Sequence, residues 1–376
     1  MLKVGIVGLP NVGKSTLFNA LLKKSAFAKA SVGQAGFAKA ANYPFTTIEP
    51  NVGVVEVPDS RLEKLKEIVE KSEGLRPEFK IVPAVVRFVD IAGLVKGAAQ
   101  GEGLGNQFLS HIREVDVIVF VLRDFSGDVI RAGSESPESD VEVLKSELFL
   151  KDLETLSKKL ETLNRDLKSA GGNDPRHAIL KVLEGAKGLV EQGKWLREEL
   201  TDDEVDKIAD LQLLSAKKMI IVLNSDEGEL GKKSGESQES KVLEGAIRIS
   251  AKMEEELSGL LEEEQKEYLK ELGQDEPGLN ILIRKAYETL DLITFFTGGP
   301  KEVHAWTTKR GTLAPQAAGT IHTDFERGFI AAEVVDFEKY MEAGGWQAAK
   351  SKGMVKTIGK TEKIEDGMVV EFRFNV

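Results

Sequence analysis

The 376-residue chain has no cysteine and few histidines (4), tyrosines (4) and tryptophans (3). The lack of cysteine excludes disulfides, thiolate metal ligands and cysteine nucleophiles. No apolar run approaches the roughly 18 residues of a membrane span, which argues against a membrane partner. Basic residues (51) are outnumbered by acidic residues (62), giving a net charge of −11. This charge argues against general binding to nucleic acid and predicts no sequence-specific DNA partner, but it allows a local basic patch.

The composition is otherwise that of a globular protein. Hydrophobic residues make up 41% of the chain, enough for a sizeable core, and charged residues make up 30%. The length predicts two or three domains. The apolar residues 2–9 lack a basic leader and a cleavage site, so we interpret them as a strand and not as a signal peptide. The expected location is the cytoplasm.

Short apolar runs alternate with helical patterns along much of the chain. The first run, 2–8, is partly β-branched and ends in glycine, which is typical of a buried strand. The other predicted strands of this part are 52–57, 85–89, 116–122, 219–223 and 246–249. Helical spacing occurs between several of them, as in 59–72 and 104–113. The alternation predicts an α/β fold with a mostly parallel sheet and helices on both faces.

A glycine-rich loop joins the first predicted strand to the first predicted helix. Residues 8–15, Gly-Leu-Pro-Asn-Val-Gly-Lys-Ser, fit the pattern G-x-x-x-x-G-K-[ST]. The glycines let backbone N–H groups point at phosphate oxygens, and the helix N-terminus favours an anion. Lys14 would supply charge to the β- and γ-phosphates, and Ser15 would offer its hydroxyl to Mg²⁺. The predicted nucleotide-contacting residues of this loop are Asn11, Val12, Gly13, Lys14, Ser15 and Thr16.

A second motif follows the strand at 85–89. Residues 90–93, Asp-Ile-Ala-Gly, form a D-x-x-G pattern in which Asp90 is predicted to hold Mg²⁺ through water. The Gly93 N–H would sense the γ-phosphate, so that a loop is ordered with triphosphate and released after hydrolysis. The predicted catalytic residues are Lys14, Asp90 and Gly93. The predicted metal ligands are Ser15, Thr47 and Asp90, with Thr46 as the alternative to Thr47.

These motifs resemble those of a known group of proteins. Residues 42–51 (Asn-Tyr-Pro-Phe-Thr-Thr-Ile-Glu-Pro-Asn), 90–95 (Asp-Ile-Ala-Gly-Leu-Val) and 97–106 (Gly-Ala-Ala-Gln-Gly-Glu-Gly-Leu-Gly-Asn) are similar to the Obg-related translational GTPases. More narrowly, the chain resembles the Obg-like ATPase (YchF) family over essentially its whole length, including the C-terminal residues 366–376. The resemblance implies a P-loop NTPase (G-domain) sheet and a role tied to translation or stress.

The residues after the strand at 219–223 bear on the choice of base. GTPases usually read guanine with N-K-x-D, whose carboxylate accepts hydrogen bonds from guanine N1–H and the 2-amino group. Here the motif is Asn224-Ser225-Asp226-Glu227, without the lysine and with a longer acidic side chain. The YchF family shows this N-x-x-E pattern, and the resemblance implies ATP as substrate. Asp226 supplies a second carboxylate close by, so mixed use and GTP stay open. The predicted base-contacting residues are Asn224, Glu227, Ser250 and Ala251, the last two through backbone N–H groups.

The position after D-x-x-G bears on the rate of hydrolysis. Ras-like enzymes place there a glutamine that orients the attacking water, whereas this chain has Leu94. This predicts slow intrinsic turnover, accelerated by a partner, a moved switch residue or a monovalent cation. Asn11 lies where some related P-loop enzymes hold K⁺, so K⁺ is a candidate beside Mg²⁺; alternatively, Asn11 only stabilises the loop turn. His111 is interpreted as a surface residue of its helix, although it could approach the site once the switch closes.

An amphipathic stretch interrupts the α/β rhythm between residues 139 and 170. Its leucines follow a heptad seam: Leu153, Leu156, Leu160, Leu163 and Leu167. A turn at 171–175 and a second helix complete a predicted antiparallel hairpin. One interpretation is an arm that projects towards a partner, and the alternative is a helix pair that covers the sheet. The predicted domains are 1–130 with 205–278 for nucleotide binding, 131–204 for the inserted arm and 279–376 for the C-terminus.

The C-terminal part resembles the TGS domain, a ubiquitin-like β-grasp whose usual role is contact with RNA or the ribosome. Basic and aromatic side chains occur together there, which suits base stacking and phosphate contact: Lys301, His304, Trp306, Lys309 and Arg310. The alternative is a β-domain that only packs against the nucleotide-binding domain, with Trp306 in the core.

Two classes of function therefore follow from the sequence. The first is an ATP-hydrolysing, Mg²⁺-dependent switch whose nucleotide state sets its affinity for the ribosome or ribosomal RNA. The second is a non-enzymatic scaffold that senses nucleotide, which the hydrophobic Leu94 keeps open. A GTPase is the alternative within the first class. A small-molecule kinase is disfavoured, because D-x-x-G and a threonine loop suit hydrolytic switches better.

Overall fold

The computed structural model describes residues 2–31, 52–74, 76–91, 104–126, 135–168, 174–230 and 241–375. Strands occur at Lys3–Val7 (β1), Val52–Glu56 (β2), Lys80–Val82 (β3), Val85–Asp90 (β4), Val117–Asp124 (β5), Lys218–Ser225 (β6), Ile247–Ile249 (β7), Leu292–Gly299 (β8), Glu302–Lys309 (β9), Phe329–Asp336 (β10), Lys356–Ile358 (β11) and Met368–Phe374 (β12). Helices occur at Lys14–Ser31 (α1), Arg61–Glu73 (α2), Leu104–Arg113 (α3), Pro137–Leu167 (α4), Arg176–Glu191 (α5), Leu196–Glu199 (α6), Asp202–Lys207 (α7), Ala251–Leu257 (α8), Glu262–Glu271 (α9), Gly278–Thr289 (α10), Ala314–Ile321 (α11), Thr323–Arg327 (α12), Phe337–Ala343 (α13) and Trp346–Ser351 (α14).

The chain divides into two compact units. The first consists of Met1–Ala20, Asn51–Gly53 and Phe88–Leu279, and the second of Leu21–Pro50, Val54–Arg87 and Asn280–Val376. The predicted arm, 131–204, thus falls within the first unit. One division between the units falls at 279–280, and residues 54–87, which the sequence placed in the nucleotide-binding domain, belong to the second unit. The predicted domain organisation stays a prediction.

Within the described part of the chain, the first sheet has six strands in the order β2-β4-β1-β5-β6-β7. Strand β1 pairs with β5, β5 with β6 and β6 with β7, all in parallel. The residues of β5 from Val117 to Leu122 are almost fully buried, as is typical of a central strand in a parallel sheet. The predicted α/β fold is confirmed, and all six strands lie within two residues of the predicted positions.

The predicted helical hairpin is formed by α4 and α5. Ser136 caps α4 and accepts a hydrogen bond from the Ser139 N–H, and Pro137 occupies the first turn. Helix α4 buries Val141, Leu144 and Leu148 near its N-terminus and contacts both β5 and α5. The Asp140 Oδ2 accepts a hydrogen bond from the Arg123 N–H of β5, so the start of α4 lies against the sheet. Contact of the hairpin with a partner stays a prediction.

A buried carboxylate anchors α4 to the segment before β6. Asp152 has no exposed surface, and its oxygens accept hydrogen bonds from the N–H groups of Leu214 and Ser215, each at 2.8 Å. The Ser215 hydroxyl donates a third, at 2.6 Å. Three donors compensate the cost of burying the charge, which an unpaired carboxylate would not recover.

The second sheet has the strand order β11-β10-β12-β8-β9-β3. Strands β8 and β9 form an antiparallel hairpin, β12 pairs in parallel with β8, and β10 pairs antiparallel with both β12 and β11. Helices α11 and α12 lie between β9 and β10 in sequence. This is the ubiquitin-like β-grasp arrangement that the resemblance implied.

Strand β3 was not predicted, and it explains why residues 54–87 belong to the second unit. Its three residues pair in parallel with β9, with Lys80 opposite Glu302 and Val82 opposite His304. Helix α2 packs against β8 and β9 of the same sheet. Three residues are too few for a pattern, so pairing with β9 decides the conformation.

An ion-pair cluster at the start of α2 adds to this packing. The Arg61 Nε donates to Asp59 Oδ1 at 2.9 Å, and its Nη1 donates to Asp366 Oδ2 at 2.8 Å. The guanidinium carbon lies 4.9 Å from the centroid of the Phe296 ring. The other Asp366 oxygen accepts from the Thr294 N–H. Residues far apart in the chain are thus joined within the second unit.

Candidate functional site

The glycine-rich loop lies between the end of β1 and the start of α1. Asn11 and Gly13 adopt left-handed backbone conformations, with φ of 62° and 91°. A Cβ atom at Gly8 would lie 2.5 Å from the Val121 carbonyl oxygen, so the loop packs closely against β5. Val12 is buried, and Thr16 is half-buried in the first turn of α1. The backbone thus has the curl that phosphate binding requires.

Lys14 is the buried cation of this loop. Its side chain is 8% exposed, and its Nζ donates a hydrogen bond to the Leu9 carbonyl oxygen at 3.3 Å. Burial lowers the pKa of Lys14, and the nearby Asp90 carboxylate partly offsets this effect. The folded protein therefore holds an ammonium group in a place where few protein groups compensate its charge.

Ser15 and Asp90 come together beside this lysine. The Ser15 hydroxyl lies 3.4 Å from Asp90 Oδ2, although the two residues are 75 positions apart. The Asp90 Oδ1 is buried and has no hydrogen-bond partner among the residues that the structure describes. Burial raises the pKa of Asp90, while Lys14 and Ser15 act in the opposite direction. A hydroxyl next to a carboxylate oxygen with an unused lone pair fits a Mg²⁺ ion, which prefers oxygen ligands.

Other predicted parts of the phosphate site lie outside the described residues. These are Gly93, Leu94, Thr46 and Thr47. Their roles stay predictions. Among the residues described, no group of three or more His, Cys, Asp or Glu side chains could hold a metal ion. This finding does not bear on Mg²⁺ binding by a hydroxyl and a single carboxylate.

Asn224 connects two loops at the end of β6. Its Nδ2 donates to the Val12 carbonyl oxygen at 2.9 Å, and its Oδ1 accepts from the Ala251 N–H at 2.9 Å. The side chain is 7% exposed. Asn224 therefore fixes the phosphate loop relative to the start of α8. Base contact by Asn224 and by the Ala251 N–H, which the sequence predicts, stays a prediction.

The remaining predicted base-side residues also have protein partners. Asp226 Oδ2 accepts from both the N–H and the hydroxyl of Ser126, at 2.9 and 2.8 Å, and these bonds lower the pKa of Asp226. Glu227 is half-buried, and its Oε2 accepts from the Tyr268 hydroxyl at 3.4 Å. Ser250 caps α8, its hydroxyl accepting from the Met253 N–H.

Comparisons with known proteins agree with this geometry. Residues 3–170 match the family model MMR_HSR1, "50S ribosome-binding GTPase", and residues 292–375 match YchF-GTPase_C, "Protein of unknown function (DUF933)". The Bacillus subtilis (strain 168) protein named "Ribosome-binding ATPase YchF" is 46% identical, over 100% of both chains. The protein of the same name from Escherichia coli O157:H7 is 44% identical, over 100% of this chain and 99% of that one. The chain belongs to the YchF family.

A solved structure of a YchF-family member shares the whole fold. The chain superposes on the Schizosaccharomyces pombe YchF GTPase with a TM-score of 0.82 and 36% identity, over 99% of this chain and 97% of that one. The family assignment that the motifs suggested is therefore confirmed. So is the P-loop NTPase fold with its C-terminal domain.

Within this YchF-family site, the sequence did not point to a polar cluster at the ends of β5, β6 and β7. The Ser225 hydroxyl donates to Asp124 Oδ2 at 2.9 Å, and Arg248 Nη1 lies 2.5 Å from the same oxygen. The carboxyl ends of parallel strands meet at one edge of a sheet, which is where ligands bind. That rule could have drawn attention to Asp124, which ends β5.

Helix α3, which carries His111, is held at its C-terminal end. His111 is exposed, as its interpretation as a surface residue requires. The Lys217 Nζ donates to the carbonyl oxygens of Arg113 and Val115, at 3.0 and 2.6 Å. Burial lowers the pKa of Lys217.

Of the helices that the structure describes, none is both long and apolar enough to cross a membrane.

Proposed function

We propose that this YchF-family chain is a Mg²⁺-dependent nucleotide switch that binds and hydrolyses ATP in preference to GTP and acts with the ribosome. The observation that carries the proposal is the convergence of Lys14, Ser15 and Asp90 at the phosphate loop. The relatives named ribosome-binding ATPase support the choice of nucleotide and partner. A ribosomal role also agrees with the predicted cytoplasmic location.

The residues of the phosphate site divide the chemical work. Lys14 reaches the β- and γ-phosphates, and the N-terminus of α1 favours their negative charge. Ser15 and Asp90 hold Mg²⁺ with Thr47 or Thr46, and Gly93 contacts the γ-phosphate. Bound Mg²⁺ supplies positive charge to the β- and γ-phosphate oxygens as negative charge develops on them. Asn224 keeps the loop aligned through the Val12 carbonyl.

Hydrolysis is proposed to be slow in the isolated protein. Leu94 can neither donate nor accept a hydrogen bond, so it cannot orient water as the glutamine of Ras-like enzymes does. A partner, a switch residue that moves, or K⁺ near Asn11 would accelerate hydrolysis in place of this glutamine. The left-handed conformation of Asn11 also fits the alternative in which it stabilises the loop turn.

In the second unit, contact with ribosomal RNA would depend on charge more than on base stacking. Lys301 and Lys309 are exposed and available to phosphates. Trp306 is half-buried, stacks on His304 at 3.6 Å and donates its Nε1–H to Thr297. Its ring therefore belongs largely to the domain's own packing, as the alternative interpretation held.

Nucleotide preference is tested by calorimetric titration with non-hydrolysable ATP and GTP analogues in Mg²⁺ and K⁺. We expect the ATP analogue to bind at least about tenfold more tightly, a difference of about 1.4 kcal/mol. The physical reason is that the motif lacks the lysine of GTPases and ends in Glu227, whose side chain is one methylene longer than the aspartate that reads guanine. Tighter binding of the GTP analogue would contradict the ATP preference and leave the nucleotide site itself intact.

Turnover measurements separate the switch from a nucleotide-sensing scaffold. We expect ATP hydrolysis to be slow alone and to rise at least about tenfold with ribosomes, because one added transition-state contact contributes 1.4 kcal/mol or more. Equal rates with and without ribosomes would favour the scaffold. The same assay in K⁺ and in Na⁺ tests the cation, since equal rates in the two salts would remove K⁺ from the proposal.

A further inference from the structure

The four residues of the motif, two at the end of β6 and two directly after it, all have partners within the protein. Asn224 is bonded to Val12 and Ala251, and Ser225 to Asp124. The two acidic residues behave in the same way, Asp226 with Ser126 and Glu227 with Tyr268. The four residues at the position of the guanine-reading motif of GTPases are thus hydrogen-bonded to other groups of the protein.

Base chemistry makes the orientation of these carboxylates decisive. Guanine offers two donors side by side, N1–H and the 2-amino group, which a carboxylate can accept with both of its oxygens. Adenine offers an acceptor at N1, so a carboxylate facing that edge repels it. A carboxylate fixed in another direction loses the guanine interaction and removes the penalty on adenine.

The position of Tyr268 is set by packing and not by the base site. Tyr268 lies on α9 and packs against the apolar cluster formed by Met253, Leu257 and Leu269. Two of these residues belong to α8, which starts directly after Ser250. The packing of α9 on α8 therefore brings the tyrosine hydroxyl to Glu227. Burial, followed by the negative charge of Glu227, raises the pKa of Tyr268, so the hydroxyl keeps its proton at neutral pH.

We infer that Tyr268 is a positioning residue for base selection. Its hydroxyl donates to Glu227 Oε2 and directs that carboxylate towards α9. The two carboxylate oxygens therefore cannot both accept hydrogen bonds from guanine. The inference rests on the proposed ATP preference and deepens it. The motif shows that the lysine of the GTPase pattern is missing. The tyrosine explains why Glu227 does not act as the aspartate of that pattern does.

The test is a set of four proteins titrated with non-hydrolysable ATP and GTP analogues. These are the wild type, Tyr268→Phe, Glu227→Gln and the double variant. Phenylalanine keeps the ring in its apolar cluster and removes only the hydroxyl. We expect Tyr268→Phe to shift the ratio of the two dissociation constants towards GTP by about threefold to tenfold, the effect of one hydrogen bond. The double variant should have the same ratio as Glu227→Gln, because the hydroxyl acts only through the carboxylate.

The double variant separates positioning from a general structural effect. If Tyr268 acts through Glu227, its replacement has no effect on base choice once the carboxylate is gone. An equal shift in the double variant would overturn the inference, as would an unchanged ratio in Tyr268→Phe. Tyr268→Leu gives an independent second variant, because leucine also fits the cluster, and the same shift is expected.

Failure of the inference is distinguishable from failure of the proposed function. The wild-type ratio alone decides whether ATP is preferred. The change in that ratio on removing the hydroxyl decides the role of Tyr268. A wild type that prefers ATP, with a ratio that the tyrosine does not alter, would retain the function and exclude the tyrosine.

Discussion

Replacing Lys14 with methionine is expected to lower ATP affinity by about 100-fold or more while leaving the nucleotide-free protein at least as stable. The ammonium group would contact two phosphates, and hydrogen bonds between charged groups contribute about 1.5–3 kcal/mol each. In the folded protein without nucleotide, Lys14 is 8% exposed, and within the described part of the chain its Nζ donates one hydrogen bond, of 3.3 Å. Methionine retains the length of the side chain and removes the cost of burying the charge.

Titration with the ATP analogue and urea unfolding without nucleotide measure the two halves of this prediction. Lys187→Met on α5 is the control, because the Lys187 side chain is 36% exposed and its Nζ makes only a long ion pair, 3.8 Å from Glu191 Oε1. The control should bind ATP like the wild type. A Lys14→Met protein that binds normally would show that phosphate binding does not depend on Lys14. One that binds poorly because it has unfolded would show that the buried lysine is structural.

The nucleotide site shows which of its features can be predicted from sequence. The loop at 8–15 and the motif at Asp90 are local patterns, and each follows a short apolar run that forms a strand almost where it was expected. The rule that parallel strands bring their carboxyl ends to one edge then places Lys14, Ser15 and Asp90 together. The structure agrees, with Ser15 and Asp90 at 3.4 Å.

The partners of the base-side residues could not be predicted in this way. Asn224 donates a hydrogen bond to the carbonyl oxygen of Val12, which is 212 positions away. Glu227 accepts one from Tyr268, which lies on α9, a helix rich in glutamate with no motif that points to the base site. No spacing in the chain encodes such a contact, since it depends on how α9 packs against α8. Strand β3 is a similar case, because its three residues become a strand only by pairing with β9.

Replacing Gly13 with alanine is expected to cost both stability and nucleotide affinity. Gly13 has a φ of 91°, a conformation that costs an L-residue about 1–2 kcal/mol. A Cβ there would also collide with the Asn224 side-chain amide, which holds Val12 and Ala251 by one hydrogen bond each. With each bond contributing about 1 kcal/mol, the free energy of unfolding should fall by about 2–4 kcal/mol.

The matched control is Gly185→Ala, in the exposed middle of α5. A Cβ there meets no atom within 4 Å, so alanine should stabilise the protein by about 0.5–1 kcal/mol through its higher helix propensity. Urea unfolding should therefore move in opposite directions for the two variants. Only Gly13→Ala should also lose about 100-fold or more in affinity for the ATP analogue, since the phosphate-binding backbone is displaced. Wild-type affinity in Gly13→Ala would mean that the contact between Asn224 and the loop can be broken without moving the N–H groups that bind phosphate.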